Sequence, residues 1–298
     1  MSSAGVGRFV AALAAEGRVR VMVVEARAPA EELRRRHELS GRAAEIAAEG
    51  LVASLLLSAH VKGEERLTVN VRSERPPFAF LADVNGDGTL RARFTPAWLH
   101  GERSFAGIMS VLKSLGPREL YRGVAEVRDE SFEGALLRYL VTSQQVDGRV
   151  RLTARLGPDG RVAMAGGILV ERLPDLGPEE FGERFGGALA GDFEDLITGA
   201  AFGMIGQEAY EVLGVRDVEY RCGCSRERVV TMLRSLGAQE VASLLAEQGQ
   251  AEVTCHYCNE RYVIDADGLS ALLLELDRKS TRLNSSHLVI SYAVFCLK

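Results

Sequence analysis

The chain has 298 residues, 47% of them apolar and 26% charged, with a formal net charge of -5. Such length and apolar content can bury a sizeable core, suggest roughly two domains and exclude an intrinsically disordered chain. Acidic and basic residues are mixed along the sequence, so there is no basic footprint for non-specific nucleic-acid binding.

The start, MSSAGVGRFVAAL, lacks the charged n-region, long apolar h-region and small-residue cleavage site of a secretory leader. The longest apolar run, residues 51–61, falls short of a membrane span, which needs roughly 20 residues. The expectation is a cytoplasmic protein with no membrane or nucleic-acid partner. In that reducing compartment, closely spaced cysteines point to metal or redox chemistry over static disulfides.

Val19, Val21 and Val23 alternate as in a strand. Ser40 reads as the N-cap of a helix over 41–60 whose Ala, Ile and Leu positions recur every three or four residues, the pattern of a helix covering a sheet. Further strands are expected at 66–72, 78–84, 121–128, 148–156 and 161–173, with N-G, D-G and P-D-G turns between several of them. The predicted fold class is therefore α+β: an N-terminal, mostly antiparallel sheet with covering helices over 1–177.

From Pro178 to Val215 the pattern turns helical but is interrupted by Gly182, Gly186, Gly187, Gly191, Gly199, Gly203 and Gly206. Each glycine inside a helix costs about 1 kcal/mol against alanine, so a helix here depends on docking for stability. Residues 178–218 read as a metastable helical linker, or as short helices whose glycines cap them or permit close packing. A small zinc-binding domain is expected over 219–276. The remainder, 277–298, is Ser-rich and then apolar, resembles translated adaptor sequence, and is expected to be non-native or disordered; Cys296 and His287 go with it.

Cys222 and Cys224 form a C-x-C, and Cys255 and Cys258 a C-x-x-C about thirty residues on. Two close thiol pairs at that separation match a tetrahedral tetrathiolate site for Zn²⁺. The first pair precedes Ser225, a good N-cap, followed by the helical stretches RERVVTMLRSL and AQEVASLLAEQ; a helix N-terminus favours thiolates beside it. The second pair lies in a turn between two short strands, AEVT and RYVI, a knuckle that lets two sulfurs reach one ion. Arg221, Arg226, Arg228 and Arg261 would offset the formal charge of a tetrathiolate zinc. A module this small has a poor core, which a structural metal would supplement. His256 is an alternative ligand by chemistry, but four sulfurs already fill a tetrahedral site.

Other signals carry less. Asp83, Asn85, Asp87 and Gly88 match the opening of a calcium loop, yet its twelfth position is Phe94 and an apolar strand precedes it, so a hairpin turn is expected. His100 and Glu102 spell the H-x-E of zinc deaminases without the matching P-C-x-x-C, since Thr254 precedes the C-x-x-C. No Walker A, G-x-G-x-x-G or G-x-S-x-G element is present, and Trp98 reads as a core residue. No catalytic residue or further cofactor site is predicted, and the chain is not expected to be an enzyme.

The stretch from Asp217 to Asp265, with its C-x-C-S-R-E-R opening and C-x-x-C-N-x-x-Y ending, resembles the redox switch of the heat-shock protein 33 family, the 33 kDa chaperonins. Upstream, YRGVAEV, the SQQ at 143–145 and AGGILVERLP resemble that family's substrate-binding domain, so the likeness covers nearly all of 1–276. The resemblance implies an ATP-independent holdase, inactive while reduced and zinc-bound. Oxidation would pair Cys222 with Cys224 and Cys255 with Cys258, eject the metal, unfold the switch and linker, expose a surface for unfolding client proteins and favour a homodimer. The glycine-laced linker departs from the charged linkers of the family. The competing readings are a binding module with a static zinc ribbon and a zinc enzyme. The first has no use for a metastable linker; the second needs an open coordination position that four cysteines deny.

Overall fold

A computed structural model describes residues 5–96, 99, 101–185, 187, 189, 211–280 and 296–297. The chain divides into two compact units, Met1–Arg221 and Cys222–Lys298.

The first unit is built on a ten-stranded sheet with strand order β7-β6-β3-β4-β5-β10-β1-β2-β9-β8. Its strands are β1 (Val6–Ala14), β2 (Val19–Glu25), β3 (Glu65–Arg75), β4 (Pro77–Asn85), β5 (Thr89–Pro96), β6 (Phe105–Leu115), β7 (Arg118–Glu130), β8 (Gly148–Leu156), β9 (Val162–Arg172) and β10 (Glu211–Tyr220). All neighbours are antiparallel except β10 and β5, which share a two-residue parallel ladder at Glu219–Thr89 and Tyr220–Leu90. The expected α+β class with a mostly antiparallel sheet is what forms.

Two helices, α1 (Arg27–Arg36) and α2 (Gly41–Leu57), and a 3-10 turn at Ser58–His60 follow β2. Ser40 occupies the N-cap of α2, although its hydroxyl accepts no capping hydrogen bond. Helix α2 packs on β2, β4, β8 and β9. Leu51, Val52, Leu55 and Leu56 are fully buried there, each stabilising the fold by about 1.5–3 kcal/mol. The approach is close enough to require glycine on both surfaces. A Cβ on Gly50 would lie 3.1 Å from the Phe80 ring of β4, and one on Gly167 of β9 would lie 2.7 Å from Val52. By length and composition Gly41–His60 would suffice to cross a membrane, but 72% of that window is buried inside the protein, as befits a core helix.

Helix α3 (Phe132–Tyr139) touches both sheet edges, β7 and β8. The Ser131 hydroxyl caps it by accepting from Gly134 N–H, and the Glu133 carboxylate accepts the Leu152 N–H of edge strand β8 at 3.0 Å. An edge donor is thereby satisfied and kept from pairing with another chain. Phe132 joins Phe78, Phe80, Phe94 and Phe105 in an aromatic cluster. The SQQ segment falls on a π-helical turn, Leu140–Gln144, ended by Gln145 in the left-handed region.

Helix α4 (Pro178–Phe185) sets Phe181 and Phe185 into a core cluster with Val19, Val21, Ile168, Val170 and Leu176. Residues 190–210, with Gly191, Gly199, Gly203 and Gly206, lie outside the described residues, as do Gly186, Trp98, His100 and His287. The helical pattern expected to continue to Val215 is replaced by strand β10. Its valines at 212, 215 and 218 suit a strand, and it gives β1 an antiparallel partner over Val6–Leu13.

The calcium-like loop is the β4–β5 hairpin, with Gly88 at φ +88° donating to the Asn85 carbonyl. Its carboxylates serve the protein itself: Asp83 accepts from Thr68 Oγ1 at 2.6 Å and Arg91 Nη2 at 2.7 Å, and Asp87 accepts from Thr89.

Candidate metal centre

The second unit contains α5 (Arg226–Leu236), α6 (Ala238–Gln248), β11 (Ala251–Thr254), β12 (Arg261–Ile264), α7 (Ala266–Ser280) and β13 (Cys296–Leu297). Gly237, at φ +90°, turns the chain between α5 and α6, and Gly249 caps α6 in the left-handed region. The core is small: Val229, Leu233, Val241, Ala251, Val253, Ile264, Leu269 and Leu272. Cys296 and Leu297, placed by sequence in a tail apart from the fold, pair with Thr254 and Val253 of β11.

The four sulfurs reach one point from two directions. Cys222 and Cys224 lie just before α5, whose first turn is capped by the Ser225 hydroxyl accepting from Arg228 N–H at 3.3 Å. Cys255 and Cys258 lie in the turn between the antiparallel β11 and β12. Cys255 N–H donates to the Glu260 carbonyl at 2.9 Å, Asn259 N–H donates to the Cys255 carbonyl at 2.8 Å, and Asn259 turns the chain at φ +55°. Backbone N–H groups of Tyr257 and Cys258 then face the Cys255 sulfur, and that of Glu260 faces Cys258.

The four ligand atoms all lie within 4.8 Å of one another. Cys222 Sγ is 3.7 Å from Cys255 Sγ, and Cys224 Sγ is 3.2 Å from Cys258 Sγ. Sulfurs bound at about 2.3 Å to one tetrahedral ion stand about 3.8 Å apart, so the donor set and its spacing fit a tetrathiolate metal. Cys255 and Cys258 are buried, while Cys222 and Cys224 are half-buried. His256 is not in the group, which the four sulfurs make up.

The electrostatics call for a cation. Hydrogen bonds from Cys222 and then Cys258 pull the Cys255 thiol far below its usual range against the opposing effect of burial. Contact with Cys222 and Cys255, together with burial, pushes Cys258 far up. The opposite shifts of neighbouring thiols reflect how strongly thiolates this close repel one another unless a cation sits among them.

Of the arginines named from sequence, Arg228 packs against the C-x-C. A Cβ on Gly223 would lie 3.0 Å from Arg228 Nη1, so the guanidinium packs closely over the glycine between the two cysteines. Arg226 Nη1 donates to the Val263 carbonyl at 2.6 Å, tying α5 to β12. Arg261 pairs with Glu252 across the β11–β12 ladder, and Arg221, in the first unit, pairs with Glu219.

One residue was not visible from sequence. The Tyr262 hydroxyl, on β12, donates to Cys224 Sγ at 3.1 Å. Burial and then that sulfur contact push the phenol up, so it stays a neutral donor. The C-x-x-C-N-x-x-Y pattern contained the tyrosine but gave no sign of which sulfur it meets.

A family model described as "Hsp33 protein" matches residues 7–265. The 33 kDa chaperonin of Bacillus subtilis (strain 168) is 30% identical over 284 residues, covering 89% of this chain and 97% of the relative. That of Bacillus velezensis is 29% identical over 290 residues, with 91% and 99% covered. The crystal structure of the 33 kDa chaperonin from Thermotoga maritima superposes with a TM-score of 0.77 at 23% identity, covering 92% of this chain and 99% of that one, a likeness of fold.

Proposed function

The chain belongs to the Hsp33 family, and from that premise we propose that it is a redox-regulated, ATP-independent holdase that keeps unfolding proteins from aggregating. The observation that carries the reading is the four-sulfur cluster in a unit whose core is small among the described residues. A unit that small gains much of its stability from a bound metal, on the order of 10 kcal/mol, so chemistry that removes the ligands also unfolds the unit.

In the reduced state Cys222, Cys224, Cys255 and Cys258 hold Zn²⁺, which supplies a structural cross-link and, with four sulfurs around it, no open coordination position. Hydrogen peroxide oxidises each pair: two thiolates give up two electrons, one S–S bond forms, and the peroxide takes up two protons from solvent and leaves as two waters. The pairs are Cys222 with Cys224 and Cys255 with Cys258. The C-x-C closes a small, strained ring that is readily reduced, which makes the switch reversible.

Once its ligands are gone, the second unit, from Cys222 on, unfolds and helix α4, at the start of the 178–218 segment read as a linker, loses its docking. Helix α4 is suited to that role, since it is eight residues long and relies on two buried phenylalanines. The apolar surface uncovered on residues 1–177 takes clients by exposed hydrophobicity, and the active form is a homodimer working in the cytoplasm. The chain acts by binding and catalyses no reaction.

The test is metal content together with client protection. Reduced protein should contain one zinc per chain and leave a heat-denatured client unprotected, and peroxide with mild heat should release the zinc and suppress light scattering. A reduced form that protects equally well, or one that keeps zinc after oxidation, refutes the reading in favour of a static zinc module.

A further inference from the structure

We propose that Tyr262 is a positioning residue of the cysteine cluster: its hydroxyl bond to Cys224 holds the C-x-C against the knuckle and lowers the reactivity of that sulfur toward electrophiles. The proposal rests on the metal-switch reading above.

The sulfurs differ in what faces them. Cys255 and Cys258 receive backbone N–H groups from their own turn, at Tyr257, Cys258 and Glu260, donors that no side-chain substitution removes. Cys224 is half-buried and meets a side-chain donor instead, the Tyr262 hydroxyl at 3.1 Å. That contact joins residues 38 apart in sequence, one on the C-x-C segment and one on β12, so it links the two halves of the site.

The ring is well placed to do this. Tyr262 stands opposite Val253 in the β11–β12 ladder and packs, partly buried, on the core of the unit. Ring and hydroxyl therefore have separate roles: the ring fills space beside Val253, and the hydroxyl alone reaches the sulfur. A donor bonded to a thiolate draws on the lone pair that would attack an oxidant or alkylating agent, and partners outside the ligand shell that orient ligands commonly change metal affinity by about 10–100-fold.

The decisive variant is Tyr262→Phe in the full chain, reduced and zinc-loaded, because it keeps the ring and removes only the hydroxyl. Two readouts are needed. Competition with a chromogenic chelator should show zinc held about tenfold more weakly than in wild type. Cysteine-resolved labelling with iodoacetamide, read by mass spectrometry, should show Cys224 modified several-fold faster while Cys222, Cys255 and Cys258 keep their wild-type rates. Unchanged affinity and unchanged Cys224 labelling would overturn the proposal. So would an equal acceleration at all four cysteines, as from an unfolded unit, which would make Tyr262 a core residue only. Wild-type protein that binds no zinc would defeat the metal-switch reading instead. Labelling of metal-free reduced protein would then decide on the hydroxyl, with a change confined to Cys224 supporting it and none overturning it.

Discussion

Replacing Phe181 by alanine should release helix α4 from the first unit without oxidation. Phe181 is fully buried and Phe185 nearly so, their ring centres 5.5 Å apart, with the Arg149 guanidinium 5.0 Å from the Phe181 ring centre. Removing the ring from such a site costs about 3–5 kcal/mol. Among the described residues, the ion pairs of the helix add less. Glu180 pairs with Arg18 at 3.2 Å and with Arg184 at 2.8 Å, but Glu180 is 43% exposed, and pairs of that kind contribute at most about 1 kcal/mol each. An isolated helix of eight residues does not persist in water. A loss of about 4 kcal/mol lowers the docked-to-undocked ratio roughly a thousandfold. Hydrogen exchange on peptides covering 178–185 of the reduced, zinc-loaded protein should accelerate by two to three orders of magnitude, about what that loss implies. The same reduced variant should protect a client in part, without peroxide. Wild-type exchange in α4 would refute the reasoning. So would acceleration spread equally over β2 and β9, which would make Phe181 a support of the whole core.

Stripping the metal under reducing conditions should melt the second unit and spare the first, because the small core of its described residues cannot replace a structural zinc worth about 10–16 kcal/mol; calorimetry should show a low transition that zinc restores, and one transition unmoved by chelator would contradict this. Gly223→Val should push the Arg228 guanidinium off the C-x-C, given a Cβ position 3.0 Å from Nη1, and weaken zinc several-fold in a salt-sensitive way by chelator competition; equal affinities at low and high salt would count against that electrostatic role. The Arg34 guanidinium beside Glu31, aided by the Val162 N–H, holds this carboxyl below the usual range. Its stabilisation is complete above the unfolded value of about 4.3 and is lost as pH falls through the lower folded value. Glu31→Gln should therefore cost about 1 kcal/mol at pH 7 and progressively less in acid, as read from urea midpoints; a gap that is constant with pH would refute the assignment.

Much of the fold was legible wherever burial imposed a period. Strand β2 shows itself through Val19, Val21 and Val23, and α2 through apolar positions three and four apart, because each buries one face. Helices α5 and α6 and strands β11 and β12 follow the sequence reading at their bounds, each being flanked by a cap, a glycine or a cysteine turn. Strand β1 was missed because VGRFVAALA is apolar almost throughout and alternates poorly. Strand β10 was read as helix for a different reason. Residues 211–215 are exposed and carry no burial period, and what makes them a strand is the register with β1, a tertiary fact.

The site divides in the same way. Four cysteines announce themselves because thiol pairs at metal-binding spacing have few other uses in one short span. Tyr262 and Arg228 do not, since the β11–β12 register and the packing of the C-x-C on α5 decide what they meet.

In the proposed switch, losing the metal and gaining client binding are one event. The direct measurement follows both in a single sample: zinc release to a chromogenic chelator and suppression of client light scattering, after peroxide and mild heat are applied to the reduced protein. The two signals should rise together, and dithiothreitol with added zinc should reverse both. Protection by the reduced protein before any zinc leaves, or complete zinc release with no protection, would contradict it.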